Sequence, residues 1–69
     1  MTNGVYLKEM GKKIKAARKA NNLTLQNVSD ATGIHLTSIW FVENGRTNPH
    51  LLTLKAIAGV FKMDVKDFI

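Results

Sequence analysis

Few side chains in this sequence could act on a substrate. His35 and His50 are the only imidazoles and there is no cysteine, so neither a zinc site nor a thiolate–imidazole pair can be assembled. The five glycines fall into no phosphate-cradling pattern. Asp30, Glu43, Asp64 and Asp67 read as capping, ion-pairing or surface carboxylates, and no two of them form an acid–base couple. These residues argue against an enzyme and call for no cofactor and no metal. What remains is binding chemistry. Gln26, Thr37 and Asn44 can hydrogen-bond to base edges, while Leu36, Trp40 and Phe41 can make apolar contacts. Arg46, with six further cations between Lys8 and Lys19, can meet phosphate.

The elements that position these groups must fit into 69 residues, which is one domain over 1–69 with a core able to supply only a few kcal/mol. A net charge of +5 and a pI near 9.9 favour nucleic acid first and an anionic membrane surface second. The start, MTNGVYLKEMGKK, has no apolar core of a signal sequence, and the longest strongly apolar run is only Ile39 to Val42, so no membrane span is expected. The lack of cysteine fits a reducing compartment, and the expected location is cytoplasmic.

The order of helices can be read from period and punctuation. Residues 1–4 are expected to be a frayed, disordered start. Leu7, Met10, Ile14 and Ala17 then give an amphipathic helix whose outer face carries Lys8, Lys12, Lys13, Lys15 and Lys19. Thr24 caps a second helix beginning at Leu25, with Asn27 where a capping box prefers Glu or Gln. Gly33 stops it with a positive φ, Ile34 plugs the angle, and a third helix runs from about Leu36 to Asn44, closed by Gly45. Asn48-Pro49 reads as a cap and first turn for a fourth helix carrying Leu51, Leu54, Ile57, Ala58 and Phe61. After the break at Lys62-Met63, Asp64 caps a last apolar turn with Val65, Phe68 and Ile69. The expectation is an all-α, compact five-helix domain with a helix-turn-helix at helices 2 and 3.

Placed at 100° intervals, the third helix divides into an inner face of His35, Ser38, Ile39, Val42 and Glu43 and an outer face of Thr37, Trp40, Phe41 and Asn44. Outward aromatics admit three readings: contact with thymine methyls or sugar in a major groove, a protein interface anchored by Trp40, or side chains folded back onto the domain. The first is favoured slightly over the second. The third ranks lowest for Trp40 and stays open for Phe41. With no Arg, Lys or Gln in this helix, direct readout leans on Thr37, Asn44 and apolar contacts, with Gln26 reaching across from the second helix.

In this layout GKKIKAARKANNLTLQNVSDATGI, SIWFVENGRTNP and LLTLKAIAGVFKMDVKDFI follow one another in register, and the chain resembles the lambda-repressor-like, Cro- or XRE-type helix-turn-helix domains from about Met10 to Ile69. The resemblance implies sequence-specific binding of double-stranded DNA as a homodimer, and a regulator of transcription, a repressor by family analogy. By position it implies a partly buried salt bridge between Arg18 and Glu43. It also implies DNA-backbone contacts from Asn44 and Arg46 and base-facing positions at Leu36, Thr37, Trp40 and Phe41. Two positions depart from the pattern: Leu25 replaces a phosphate-contacting Gln, and Ser29 replaces the commoner Ala at the helix crossing. Val65, Phe68 and Ile69 either join a dimer contact or close the domain's own core. The rival reading keeps the fold but uses Leu36, Trp40 and Phe41 to bind a partner protein. A membrane-surface role ranks last, because the first helix would have to give up its apolar face.

Overall fold

The computed structural model describes residues 3–69. It has four α-helices, α1 (Asn3–Ala20), α2 (Leu25–Thr32), α3 (Leu36–Glu43) and α4 (Leu51–Val60), followed by a 3-10 turn at Val65–Asp67, and no strand among the described residues. The all-α expectation holds. The expected fifth helix is only this three-residue turn, whose backbone bonds reach back three residues, Asp67 N–H to Asp64 O and Phe68 N–H to Val65 O, both at 2.9 Å, with Asp64 and Asp67 capping its start. The Lys66 N–H donates to Asp64 Oδ1 at 3.2 Å and the Asp64 N–H to Asp67 Oδ2 at 2.9 Å. Of the expected frayed start, Asn3 and Gly4 are already helical, while Met1 and Thr2 lie outside the described residues.

Each α-helix ends at a residue of positive φ: Asn22 (58°), Gly33 (78°), Gly45 (67°) and Lys62 (57°). After α1, α3 and α4 the chain makes the paired bonds of a Schellman motif. Leu23, Arg46 and Met63 reach back five residues to the carbonyls of Arg18, Phe41 and Ala58, at 3.1, 2.9 and 2.9 Å. The end of α2 is tied differently. The Gly33 N–H donates to Ser29 O at 2.9 Å, and both backbone groups of Ile34 are taken by side chains of α2. The Ser29 hydroxyl donates to Ile34 O at 2.6 Å, and Thr32 Oγ1 accepts from Ile34 N at 3.1 Å. Ser29 is therefore a working part of the corner, and this bond explains a hydroxyl where a small apolar residue would also fit. At the other end of α2 the capping box is complete despite its Asn: Asn27 N–H to Thr24 Oγ1 at 3.0 Å and Thr24 N–H to Asn27 Oδ1 at 2.9 Å.

The core is drawn from every element: Met10, Ile14 and Ala17 of α1, Val28 of α2, Ile39 and Val42 of α3, and Leu54, Ile57 and Ala58 of α4. Phe61 and Phe68 meet edge to face at 6.4 Å and seal its end. Phe68 thus serves the domain's own core, with Val65 packed beside it, while Ile69 stays exposed. Leu25, standing where a polar anchor was absent, packs against the core. Two expectations for α4 fail. Its cap residue is His50, so Pro49 precedes the helix, and Leu51 is 63% exposed rather than inward. The helix starts late enough that Leu54 is its first core contact.

α1 packs across α3, and α2 packs on both α3 and α4. The α1–α3 crossing is closest at Gly11, where a Cβ would lie 2.6 Å from Val42 O and against Glu43 O. Just beyond it Gly45 rests on the backbone of Lys8, with a Cβ position 2.8 Å from Lys8 Cα. These two contacts press the end of α3 against the amino-terminal half of α1.

Candidate nucleic-acid interface

α3 turns Ile39, Val42 and Glu43 inward. His35 and Ser38, expected on the inner side, are exposed, because the short α3 meets α1 and α2 through only the narrow stripe at 39, 42 and 43. On the opposite side Thr37 is exposed, Leu36, Trp40 and Phe41 are 37, 39 and 41% exposed, and Asn44 is half-buried. The outer face is therefore open to solvent. Neither aromatic folds into the core, although each is partly covered by its neighbours.

Trp40 and Phe41 pack edge to face with centroids 5.5 Å apart, an arrangement the ring quadrupoles favour. The αL turn at Gly45 sends the chain back along α3, and the Arg46 guanidinium settles 5.8 Å from the centroid of the Trp40 ring. At an exposed site such a cation–π contact contributes about 0.5–1 kcal/mol, enough to bias Arg46 towards the face without fixing it. Asn44 donates its side-chain amide to Trp40 O at 2.9 Å. Leu36, Thr37, Trp40, Phe41, Asn44 and Arg46 thus form one connected surface. Gln26 is exposed in the first turn of α2, but its amide donates to Asp30 Oδ1 at 2.8 Å, within its own helix rather than to the α3 cluster.

The Arg18–Glu43 pair anticipated from the family pattern is present and buried. Arg18 Nε donates to Glu43 Oε2 at 2.7 Å, Nη2 to Oε1 at 3.1 Å, and Nη1 to Leu23 O at 2.9 Å. The fork geometry of guanidinium on carboxylate makes this a directional clamp between α1 and the last residue of α3. Beside it, Lys8, Lys12 and Lys15 line a shallow hollow with Glu43 and Asn44. These lysines are four and three residues apart and so form one stripe of α1, adjoining the end of α3. Among the described residues, the exposed pair of Lys12 with Glu9, at 3.7 Å, is the one ion pair that competes for this charge. The lysine stripe is what reading the α3 face alone misses. Its signal was the 8, 12, 15 spacing, but its position beside α3 depends on Gly11 and Gly45, whose close approaches no periodicity reveals.

Among the described residues no group of His, Cys, Asp and Glu could hold a metal ion, and no helix is long and apolar enough to cross a membrane.

This arrangement of α2, Gly33 and α3 coincides with the family model HTH_3, helix-turn-helix, which matches residues 14–68. The chain belongs to the HTH_3 family. Solved structures share its fold. The HTH_3 family transcriptional regulator from Vibrio cholerae superposes with a TM-score of 0.88 at 24% identity over 97% of this chain. The restriction-modification controller protein C.AhdI from Aeromonas hydrophila gives 0.87 at 19% identity, covering 91% of this chain and 96% of its own. The DNA-binding domain of BldD gives 0.84 at 21% identity, covering 100% and 99%. The chain spans only 38% of the length of the Vibrio protein. No curated protein matches it in sequence.

Proposed function

We propose that this HTH_3 domain is a sequence-specific, double-stranded-DNA-binding regulator of transcription, acting as a repressor, that inserts α3 into the major groove. The observation that carries this reading is the solvent-open outer face of α3, with Thr37, Trp40 and Phe41, flanked by Arg46 and the Lys8/Lys12/Lys15 stripe. A helix presenting base-directed side chains needs cations at its flank to hold register on the phosphates, and this surface supplies both. Leu36, Thr37, Trp40 and Phe41 are assigned to the base edges, Asn44 and Arg46 to the backbone, and Gln26 to the neighbouring strand once its exposed bond to Asp30 opens. The names of the three structural neighbours, a transcriptional regulator, a restriction-modification controller protein and a DNA-binding domain, support a DNA-binding regulator.

The domain acts as a homodimer in this reading. Tyr6, Leu7, Met10, Leu54, Phe68 and Ile69 line a mostly apolar hollow, rimmed by Glu9, Lys13 and Asn48, on a different side of α1 from the lysine stripe. A second copy seated there leaves both α3 faces free. In this reading the paired copies set their α3 helices about one helical turn, ~34 Å, apart. No cofactor is required, and a cytoplasmic location fits the cysteine-free composition.

The test is selection of bound duplexes from random DNA, followed by titration with Trp40, the sole tryptophan, as reporter. Expected are a recurrent near-palindromic site and a fluorescence change that weakens with salt. Absence of any enriched duplex, together with retention of a protein partner through Leu36, Trp40 and Phe41, would transfer the assignment to the protein-interaction reading.

A further inference from the structure

The groups that usually discriminate bases by paired hydrogen bonds are engaged or missing on this surface. α3 contains no Arg, Lys or Gln. The Asn44 amide donates to Trp40 O at 2.9 Å, the Gln26 amide to Asp30 at 2.8 Å, and Arg46 lies over the Trp40 ring at 5.8 Å. What α3 offers outward is the hydroxyl and methyl of Thr37, the Ser38 hydroxyl, and the apolar surfaces of Leu36, Trp40 and Phe41. The major groove has one apolar feature that varies with sequence, the methyl group at C5 of thymine, and 5-methylcytosine carries the same group at the same place.

We infer that α3 recognises 5-methylpyrimidines, closing Leu36, Trp40 and Phe41 over C5-methyl groups in the major groove. This rests on the major-groove reading above and names the chemistry that α3 selects. The positions of the cations commit the patch to DNA rather than to a protein: Arg46 lies over the Trp40 ring, and Lys8, Lys12 and Lys15 flank the end of the same helix on a chain of net charge +5. Edge-to-face packing of Trp40 on Phe41 fixes two ring edges at an angle of 68°, and Leu36 lies one helical turn before Trp40, so a methyl entering there meets apolar surface from more than one direction. Ser38 and Thr37 retain hydroxyls for the neighbouring base edge, which accounts for selectivity beyond methyl content alone.

The experiment uses the 69-residue chain and a duplex enriched from random DNA. In one arm each thymine in turn is replaced by deoxyuridine, which removes the C5 methyl and leaves every hydrogen-bonding group. In the other, contacted T·A pairs are replaced by C·G with cytosine or 5-methylcytosine. Expected is a loss of about fourfold in affinity for each contacted methyl removed, and a gain of about fourfold when cytosine is methylated at those positions, from burial of one methyl group. Loss in the first arm together with gain in the second supports recognition of 5-methylpyrimidines; loss in the first without gain in the second overturns it for methylated cytosine. Trp40→Ala, a change at a solvent-open position, should bring the thymine/deoxyuridine ratio at its contacted position near one while non-specific, salt-dependent binding persists. A selected duplex bound equally well with deoxyuridine throughout would overturn methyl recognition and leave DNA binding intact. Failure to enrich any duplex would instead overturn the major-groove reading itself.

Discussion

Arg18 shows how one residue can be separated from others of like charge. Five lysines share its stretch of α1, yet only Arg18 sits where its guanidinium reaches both Glu43 oxygens and Leu23 O. Composition and period could not distinguish it, and only the family pattern pointed to the pair. Glu43→Ala leaves a buried guanidinium unpaired and should cost about 3–5 kcal/mol, which is most of what a domain of this size has. Urea unfolding should show the midpoint falling steeply in Glu43→Ala, whereas Arg18→Met with Glu43→Leu recovers most of the loss. A single variant within about 1 kcal/mol of the parent would make the clamp an ordinary surface pair. Lys62 is the opposite case. Gly33 and Gly45 announce their positive φ by type, but Lys62 holds φ 57° with a side chain that gives no such signal. Lys62→Gly should therefore raise stability by about 0.5–1 kcal/mol, because relief of left-handed strain exceeds the extra backbone entropy of glycine. Thermal melting in parallel with the parent reads this directly.

At the scale of elements, starts and stops were legible where capping chemistry declares itself, and faces were legible where the helix is two-sided. The bounds of α2 follow from Thr24, Asn27 and Gly33, and the structure places them there. α3 is different: Leu36, Ile39, Trp40, Phe41 and Val42 put apolar residues almost all round it, so spacing alone could not exclude His35 and Ser38 from the inside. α4 has the same ambiguity at Leu51 and Leu52, both exposed. Least legible was the crossing of α1 on α3, because a glycine in mid-helix reads as a weakness. Gly11 and Gly59 look alike in sequence but have different surroundings. A Cβ at Gly11 would lie 2.6 Å from Val42 O and 2.7 Å from Glu43 C, backbone atoms that cannot yield without moving α3. At Gly59 nothing lies within 4 Å. Gly11→Ala should destabilise by about 1–3 kcal/mol through overpacking, and Gly59→Ala should stabilise by about 0.5–1 kcal/mol through helix propensity. Opposite shifts in urea midpoint for the same chemical change would establish that Gly11 sets the α1–α3 distance. Equal shifts would remove it from that role. Because that distance carries Lys8 to the end of α3, Gly11→Ala should also weaken DNA binding more than its stability loss accounts for.

Over the whole molecule, a net charge of +5 pointed to a polyanion but not to a side of the domain. The fold resolves it into two groups. Lys8, Lys12 and Lys15 adjoin Glu43 and Asn44 at the end of α3, whereas Lys55 and Lys62 line a separate hollow with Met63 and Val65. In the proposed complex the first group, with Arg46, meets the phosphates beside α3, and the second stays off the duplex. If each subunit neutralises about five phosphates, affinity for the selected duplex should fall with a log–log salt slope of about −4 to −5 per subunit. Replacing Lys8, Lys12 and Lys15 together by Gln should make that slope shallower by about 2–3, since each lost phosphate contact releases about 0.9 fewer counterions. The thymine/deoxyuridine ratio should stay at its parental value, because phosphate contacts hold register without reading sequence. Lys55→Gln with Lys62→Gln removes charge from that separate hollow and should leave the slope unchanged. Fluorescence titrations of Trp40 from low to moderate salt measure all three proteins. If the two sets of lysines prove equivalent, the attraction is a property of net charge alone, and the stripe on α1 has no particular place on the DNA.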